Sequence, residues 1–198
     1  MYLCIMFPRL AKNLLYHSIG RIGTRCPLSN TYQDLIPIFS TIAISFRNKN
    51  IRIHTSVSRY LVLDFQVRTF PEHRQRVLDT MIRLNREYRP SLVFVPSATD
   101  THQDHKTVAD EGFRAFKRTT ILAYELSWNT LEFSNRCFVT LEEEDIQKKI
   151  AALYEYNSQQ ACRTYVNEAY VRALALVRDT QIQKPLAEVF DVPRLILD

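Results

Sequence analysis

The chain has 198 residues, of which 26 are Lys or Arg, 21 are Asp or Glu and only 3 are Gly. This length suits one soluble domain with a sizeable core. The few glycines match neither spacing of the glycine-rich phosphate-binding loops, which argues against nucleotide binding of those types. No apolar run approaches the roughly 18 residues that a membrane span needs. The 4 cysteines form no C-x-x-C pair, which favours reduced thiols and a cytoplasmic location.

The positive charge is concentrated before residue 60. Up to Tyr60 there are eight Lys and Arg and one acid, Asp34, whereas the rest of the chain carries 18 cations and 20 acids. This concentration of positive charge has three interpretations: a nucleic-acid-binding arm, a targeting peptide at 1–29, and an aberrant or incomplete N-terminus. The cations are scattered among apolar residues, so we expect no nucleic-acid partner. We divide the chain into an atypical basic segment, 1–59, of low expected order, and a domain at 60–198.

Strand and helix signals alternate along most of the chain. Before residue 60, strands are predicted only weakly, at 37–45 and 51–55. The later predictions are a strand at 61–65, a helix opened by Pro71 at 71–88, a buried strand at 91–96, a helix at 103–117, strands at 121–125 and 136–140, an acid-led helix at 141–156, a helix at 167–178 and an apolar tail. This alternation predicts an α/β fold with a largely parallel sheet.

Two histidines follow the predicted 91–96 strand. His102 and His105 lie in the stretch Asp-Thr-His-Gln-Asp-His at 100–105. Open α/β sheets build ligand sites at the carboxyl ends of strands, and a neutral imidazole at a helix N-terminus suits metal binding or acid-base chemistry. The same residues also fit a simple helix start, with Thr101 as the N-cap and Asp104 three residues later. Spacing alone leaves both interpretations open.

The sequence around these histidines resembles a known family. PSATDTHQDHKTV at 96–108 is similar to the H-x-D-H motif of the PIG-L/LmbE-like zinc-dependent N-deacetylases, which remove acetyl groups from N-acetylglucosamine-type sugars. Further segments match in order, from LVLDF at 61–65 to LAEVF at 186–190, so the resemblance covers 60–198. It implies a Rossmann-like three-layer fold with a mostly parallel sheet and a truncated or irregular N-terminal part.

The resemblance also implies residue roles, a cofactor and a substrate. His105 would be a ligand of Zn²⁺. His102 would steady the oxyanion or protonate the leaving amine, with Asp104 as an orienting carboxylate. Asp100 would shape the substrate loop. The partner would be an N-acetylated sugar or glycoconjugate, and the metal would polarise the amide carbonyl and activate a water molecule.

Two residues after the predicted 121–125 strand are further candidates for substrate binding. Glu125 and Trp128, in YELSWN, follow a strand, and an aromatic face suits a pyranose ring. A buried tryptophan in the core is the alternative interpretation of Trp128. Glu188 lies near the end of the chain and is predicted to help close the pocket.

The N-terminal part departs from the family. The H-P-D-D-E motif, which supplies two more metal ligands and the general base, has no match before Tyr60, where the acids and histidines are limited to His17, Asp34 and His54. Two functions therefore stay open. One is an N-deacetylase acting on N-acetylglucosamine-type sugars. The other is a catalytically inactive or truncated protein of that fold with a structural or sugar-binding role.

Overall fold

The computed structural model describes residues 2–6, 42–45, 59–63, 65–154 and 167–197. Its elements, in chain order, are β1 (Tyr2–Met6), β2 (Ile42–Ser45), β3 (Arg59–Val62), a 3-10 helix (Phe70–His73), α1 (Arg74–Tyr88), β4 (Leu92–Pro96), α2 (Gln103–Ala115), β5 (Thr120–Tyr124), β6 (Cys137–Thr140), α3 (Glu143–Tyr154), α4 (Glu168–Asp179) and β7 (Ala187–Arg194). The predicted strands and helices from 91 onward are confirmed within a few residues. The strand predicted at 51–55 lies outside the described residues.

The strands form one mixed sheet of seven strands in the order β3-β2-β1-β4-β5-β7-β6. Within the described residues, only β2 with β3 and β4 with β5 pair in parallel. The other four pairings are antiparallel. The α/β class is confirmed, but the prediction of a mostly parallel sheet is wrong. Alternation along the chain does not determine which strands become neighbours, and within the described residues only the β4-α2-β5 crossover joins adjacent parallel strands through a helix.

Two strands of the basic segment 1–59 belong to this sheet. β1 lies between β2 and β4 and runs antiparallel to both. Arg59, at the start of β3, is also described. The rest of the segment lies outside the described residues, so the low order predicted for it stays a prediction. None of the helices within the described ranges is long and apolar enough to cross a membrane.

The main apolar core lies between the sheet and the helices α1 and α2. Alternate residues of β4 and β5 face it, as the period of two in a strand dictates. These are Val93, Val95, Ile121 and Ala123, which pack with Val77 and Met81 of α1 and with Val108 and Phe116 from α2 and its C-terminal end. On the opposite face, Leu92 of β4 and Leu122 of β5 form a smaller cluster with Phe190 of β7. A third cluster joins α3 to α4 through Ile146, Ile150, Val171 and Ala175.

A glycine allows α2 to approach β4 closely. A Cβ atom placed on Gly112 would lie 3.0 Å from Cγ1 of Val95, closer than ordinary van der Waals contact. The packing holds α2 against β4, and the helix begins a few residues after that strand ends. Pro96 and Tyr124 are register partners, so β4 and β5 end side by side. The N-terminus of α2 is therefore fixed at the carboxyl edge of the parallel pair.

Candidate functional site

The loop that carries the first candidate residues is held by the loop that follows β5. Asp100 forms an isolated antiparallel bridge with Thr130. The amide of Thr101 donates to the carbonyl oxygen of Asn129 at 3.0 Å, and the Thr101 hydroxyl donates to the same oxygen at 3.1 Å. These contacts connect the two loops at the carboxyl edge of the sheet, where open α/β sheets place ligands.

His102, and not Thr101, is the N-cap of α2. Its backbone is extended, and its Nδ1 accepts the amide hydrogen of Asp104 at 3.2 Å. The prediction of Thr101 as N-cap is wrong, because the neighbouring loop engages the Thr101 hydroxyl. Since an amide can only donate, Nδ1 of His102 has no proton in this bond. The neutral ring of His102 therefore carries its hydrogen on Nε2.

Asp100 fixes the opposite tautomer in His105. One carboxylate oxygen, Oδ2, lies 2.7 Å from Nδ1 of His105, and Oδ1 accepts the amide hydrogen of His102 at 2.7 Å. Asp100 is only 2% exposed. An ionised carboxylate can only accept, so Nδ1 of His105 donates, and in the neutral ring Nε2 holds the lone pair. A carboxylate behind an imidazole is the arrangement that orients histidine ligands in metal sites.

The two imidazole rings lie against each other. Their centroids are 4.4 Å apart and the rings are inclined by 23°. Burial lowers the pKa of His102 from its ordinary value of 6.5, and His105 lowers it further. Asp104 and Asp100 oppose the shift, while Arg68 adds to it. His102 is therefore neutral at pH 7, and the pair combines an Nε2–H donor with an Nε2 lone pair.

Asp104 ties α2 to the segment before α1. It is 3% exposed, and its oxygens accept amide hydrogens from Arg68 at 2.6 Å and from Phe70 at 3.3 Å. The carboxylate contact with an imidazole thus belongs to Asp100, five residues before His105.

Glu125 and Glu188 line a separate small cavity. Glu125 forms a bidentate ion pair with Arg178, at 3.0 and 2.7 Å, and both side chains are largely buried. Glu188 lies 2.5 Å from Lys149. The four charged groups border a cavity of about 40 Å³ near α3, α4 and β7.

Trp128 lies in the loop whose Asn129 holds Thr101. It is 61% exposed, so the interpretation of Trp128 as a core residue is wrong. His73, on the 3-10 helix, is an exposed surface histidine.

Two residues near the site were missed in the sequence. Arg68 has a positive φ of 70°, which nothing in QVRTF indicates because no glycine is present. Glu111 is fully buried and binds Arg74 at 2.7 Å and Arg114 at 2.6 Å. Glu111 lies seven residues, or two helical turns, after Asp104, so the sequence spacing does indicate that both carboxylates lie on the same face of α2. Both carboxylates attach α2 to the segment at 68–74.

The metal-ligand set is incomplete within the described residues. No group of three or more His, Cys, Asp and Glu side chains converges in those parts of the chain. His105 offers a free imidazole nitrogen, but the oxygens of Asp100 and Asp104 are already bonded. A catalytic zinc takes three protein ligands, so these residues alone do not fit one.

The architecture is that of several deacetylases of known structure. No family model matches the sequence, and no curated protein matches it. N,N'-diacetylchitobiose deacetylase from Pyrococcus horikoshii superposes with a TM-score of 0.55 at 17% identity, over 69% of this chain and 58% of that one. The zinc-inhibited form of the teicoplanin deacetylase Orf2 gives 0.55 at 17%, over 73% and 71%. The conserved protein TT1542 from Thermus thermophilus gives 0.52 at 21%, over 71% and 67%. At these identities the likeness is one of fold.

Proposed function

We propose that the chain is an N-deacetylase-type hydrolase whose site at 100–105 binds the acetamide group of an N-acetylated amino sugar and takes part in its hydrolysis to acetate and free amine. The observation that carries this proposal is the pair of stacked imidazoles with opposite tautomers. The named deacetylases of the same fold and the H-x-D-H resemblance support the same reaction class. From the cysteine pattern alone, we expect the protein in the cytoplasm.

His102 is suited to the carbonyl oxygen of the acetamide. Its Nε2–H is a donor because Nδ1 is occupied by the amide of Asp104. Burial keeps the ring neutral, so this donor persists at neutral pH. As a carbonyl becomes tetrahedral its oxygen gains charge, and a preorganised donor at that oxygen raises the rate by about 10² to 10³. His102 would therefore stabilise the oxyanion.

His105 supplies the other half of the site. Its Nε2 lone pair is held in place by the bond from Nδ1 to Asp100. We propose Zn²⁺ as the cofactor and His105 as one of its ligands. This assignment depends on the family resemblance, because the described residues do not complete a three-ligand set.

A second candidate function is sugar binding without hydrolysis. This candidate is supported by the hydrogen bonds that the two carboxylates nearest the histidines already make. Asp100 bonds His102 and His105, and Asp104 bonds two backbone amides. A carboxylate acting as general base must reach a water molecule, and each oxygen of this pair already has a protein partner. The donor of His102 would still bind an acetamide oxygen.

One experiment decides between the two functions. The full chain is incubated with zinc, and bound metal, binding of N-acetylglucosamine derivatives and acetate release from them are measured for the natural sequence, His105→Ala and His73→Ala. We expect zinc binding and turnover that His105→Ala removes and that His73→Ala retains, since His73 is exposed on the 3-10 helix. Sugar binding without acetate release would overturn the hydrolase in favour of the second candidate.

A further inference from the structure

Trp128 lies in the middle of a tight turn that follows β5. The carbonyl oxygen of Leu126 accepts the amide hydrogens of Asn129 at 2.8 Å and of Thr130 at 2.9 Å. The amide of Leu126 donates to the hydroxyl oxygen of Thr130 at 3.2 Å. These three bonds close the turn around Trp128, so its backbone position is fixed before a ligand arrives.

The same turn is attached to the rest of the protein on both sides of Trp128. The carbonyl oxygen of Asn129 accepts two hydrogen bonds from Thr101, in the loop that leads into α2. On the other side, the hydroxyl of Tyr170 in α4 donates to the hydroxyl oxygen of Ser127 at 2.7 Å. Trp128 therefore lies between two residues that different parts of the fold hold in place.

The turn brings Trp128 close to the histidine pair. Asn129 and Thr101 lie opposite each other, and each is one residue from Trp128 or His102. With about 3.8 Å for each step along the chain and about 5.5 Å across the bonded pair, the Cα atoms of Trp128 and His102 lie within about 13 Å of each other. A pyranose ring whose acetamide is bound at His102 can therefore reach the indole.

The indole is also accessible to such a ring. Trp128 is 61% exposed, although tryptophan is on average a highly buried residue. Large apolar side chains that a protein leaves in water mark binding sites more often than chance surface positions do. Loops held by a rigid scaffold are common carriers of such sites.

We infer that Trp128 binds the sugar ring of the substrate by stacking its indole on the C–H face of the pyranose, so that the site selects cyclic N-acetylated sugars over acyclic acetamides. The inference rests on the proposed function. The indole face is apolar and carries partial negative charge, which suits the C–H groups of a pyranose. A rigid aromatic side chain on a fixed backbone makes this contact at a small entropic cost. The histidine pair binds only the acetamide, which both kinds of compound share, so selection between them needs this second contact.

The test compares a cyclic and an acyclic acetamide on the full chain. Methyl N-acetyl-β-glucosaminide has a pyranose ring, and N-acetylethanolamine has the same acetamide without one. Each is titrated while the ring signals of His102 and His105 are followed by NMR. We expect the sugar to bind about tenfold more tightly, which corresponds to roughly 55 Å² of apolar surface removed from water. Trp128→Ala should reduce that ratio to about one, and Trp128→Phe should keep part of it because an aromatic face remains.

The fluorescence of Trp128 supplies a second readout, because the chain has only 1 tryptophan. When the sugar binds, the indole emission should shift to shorter wavelength and its quenching by acrylamide should weaken, since the ring loses contact with water. The acyclic compound should change neither. Indole emission that stays the same while the sugar binds at the histidines would overturn the stacking.

Leu131→Ala is the matched control, since Leu131 is an exposed apolar residue shortly after the turn, and it should retain the natural ratio. Equal affinity for the two compounds, a preference that survives Trp128→Ala, or a preference that Leu131→Ala also abolishes overturns the role of Trp128 and leaves the proposed function in place. If neither compound shifts either histidine, both proposals fail.

Discussion

Replacing Asp100 with Asn tests whether this buried carboxylate sets the tautomer of His105. The natural side chain accepts from the amide of His102 and from Nδ1 of His105, each at 2.7 Å. An Asn side chain can keep the first bond through its oxygen, but its NH₂ group then faces Nδ1. Two donors cannot share a hydrogen bond, so His105 should move its proton to Nε2. The lone pair that faces the site would be lost.

The structure sets the size of the effect. Hydrogen bonds to charged groups contribute about 1.5–3 kcal/mol, against about 1 kcal/mol for neutral ones. Asp100 is 2% exposed, so water compensates little for the lost charge. With two bonds weakened, we expect Asp100→Asn to lower the free energy of unfolding by about 1–3 kcal/mol. If zinc binds at His105, its affinity should fall by about 10- to 100-fold, as it does when such supporting carboxylates are replaced.

The assay is NMR of the histidine ring nitrogens, together with urea unfolding. In the natural chain we expect His102 protonated on Nε2 and His105 on Nδ1, and in Asp100→Asn both on Nε2. Asp110→Asn removes a partly exposed acid of the same helix and should change neither tautomer. A natural chain with His105 already protonated on Nε2, or an Asn variant with an unchanged tautomer, would refute the reasoning.

Three further predictions concern pH, packing and a buried charge. The pKa of His102 is lowered in the folded state, so the unfolded chain binds more protons in acid, and the free energy of unfolding should fall as the pH drops below 6.5. His102→Asn keeps a cap acceptor and should flatten this pH dependence when it is measured by urea unfolding. An unchanged slope in the variant would contradict this. Gly112→Ala should lower the free energy of unfolding by about 1 kcal/mol, although alanine has the better helix propensity, because the new Cβ meets Val95 at 3.0 Å. In a double-mutant cycle, this penalty should disappear when Val95→Ala is also present. Simple additivity of the two substitutions would count against the contact. Glu111→Gln should lower the free energy of unfolding by about 2–3 kcal/mol, measured by calorimetry, since a fully buried carboxylate loses its charged bonds to two arginines. The control Glu87→Gln changes an exposed residue and should alter stability by less than about 0.5 kcal/mol. Equal effects of the two substitutions would show that burial is irrelevant.

Local signals predicted much of the secondary structure. The acids that open α3 lie in its first turn, as the sequence indicated. The predicted start of α4 at 167 coincides with its N-cap Asn167, which accepts the amide hydrogen of Tyr170 at 2.8 Å. Signals of that kind act within a few residues. The directions of β1 and β7 depend on pairing between distant segments, which has no local signature, and there the sheet prediction failed. Arg89 ends α1 in the left-handed conformation without the glycine that would have marked it.

The sequence predicted where the candidate residues lie on the sheet but not which side chains contact one another. The motif put His102 and His105 at the carboxyl edge of the sheet, where the structure has them. Which side chain caps α2, and which carboxylate supports His105, depended on the loop around Asn129. Arg68 lies 36 residues from its partner Asp104, so no helical or strand period could connect them.

The rate of acetate release is the direct test of hydrolysis at the histidine pair. Zinc-loaded natural protein and His105→Ala are incubated with an N-acetylglucosamine derivative, and acetate is measured over time. We expect steady release by the natural protein and a fall of about 10² or more in the variant, because the histidine pair is then incomplete. Release at equal rates by both proteins, or by neither, would contradict it.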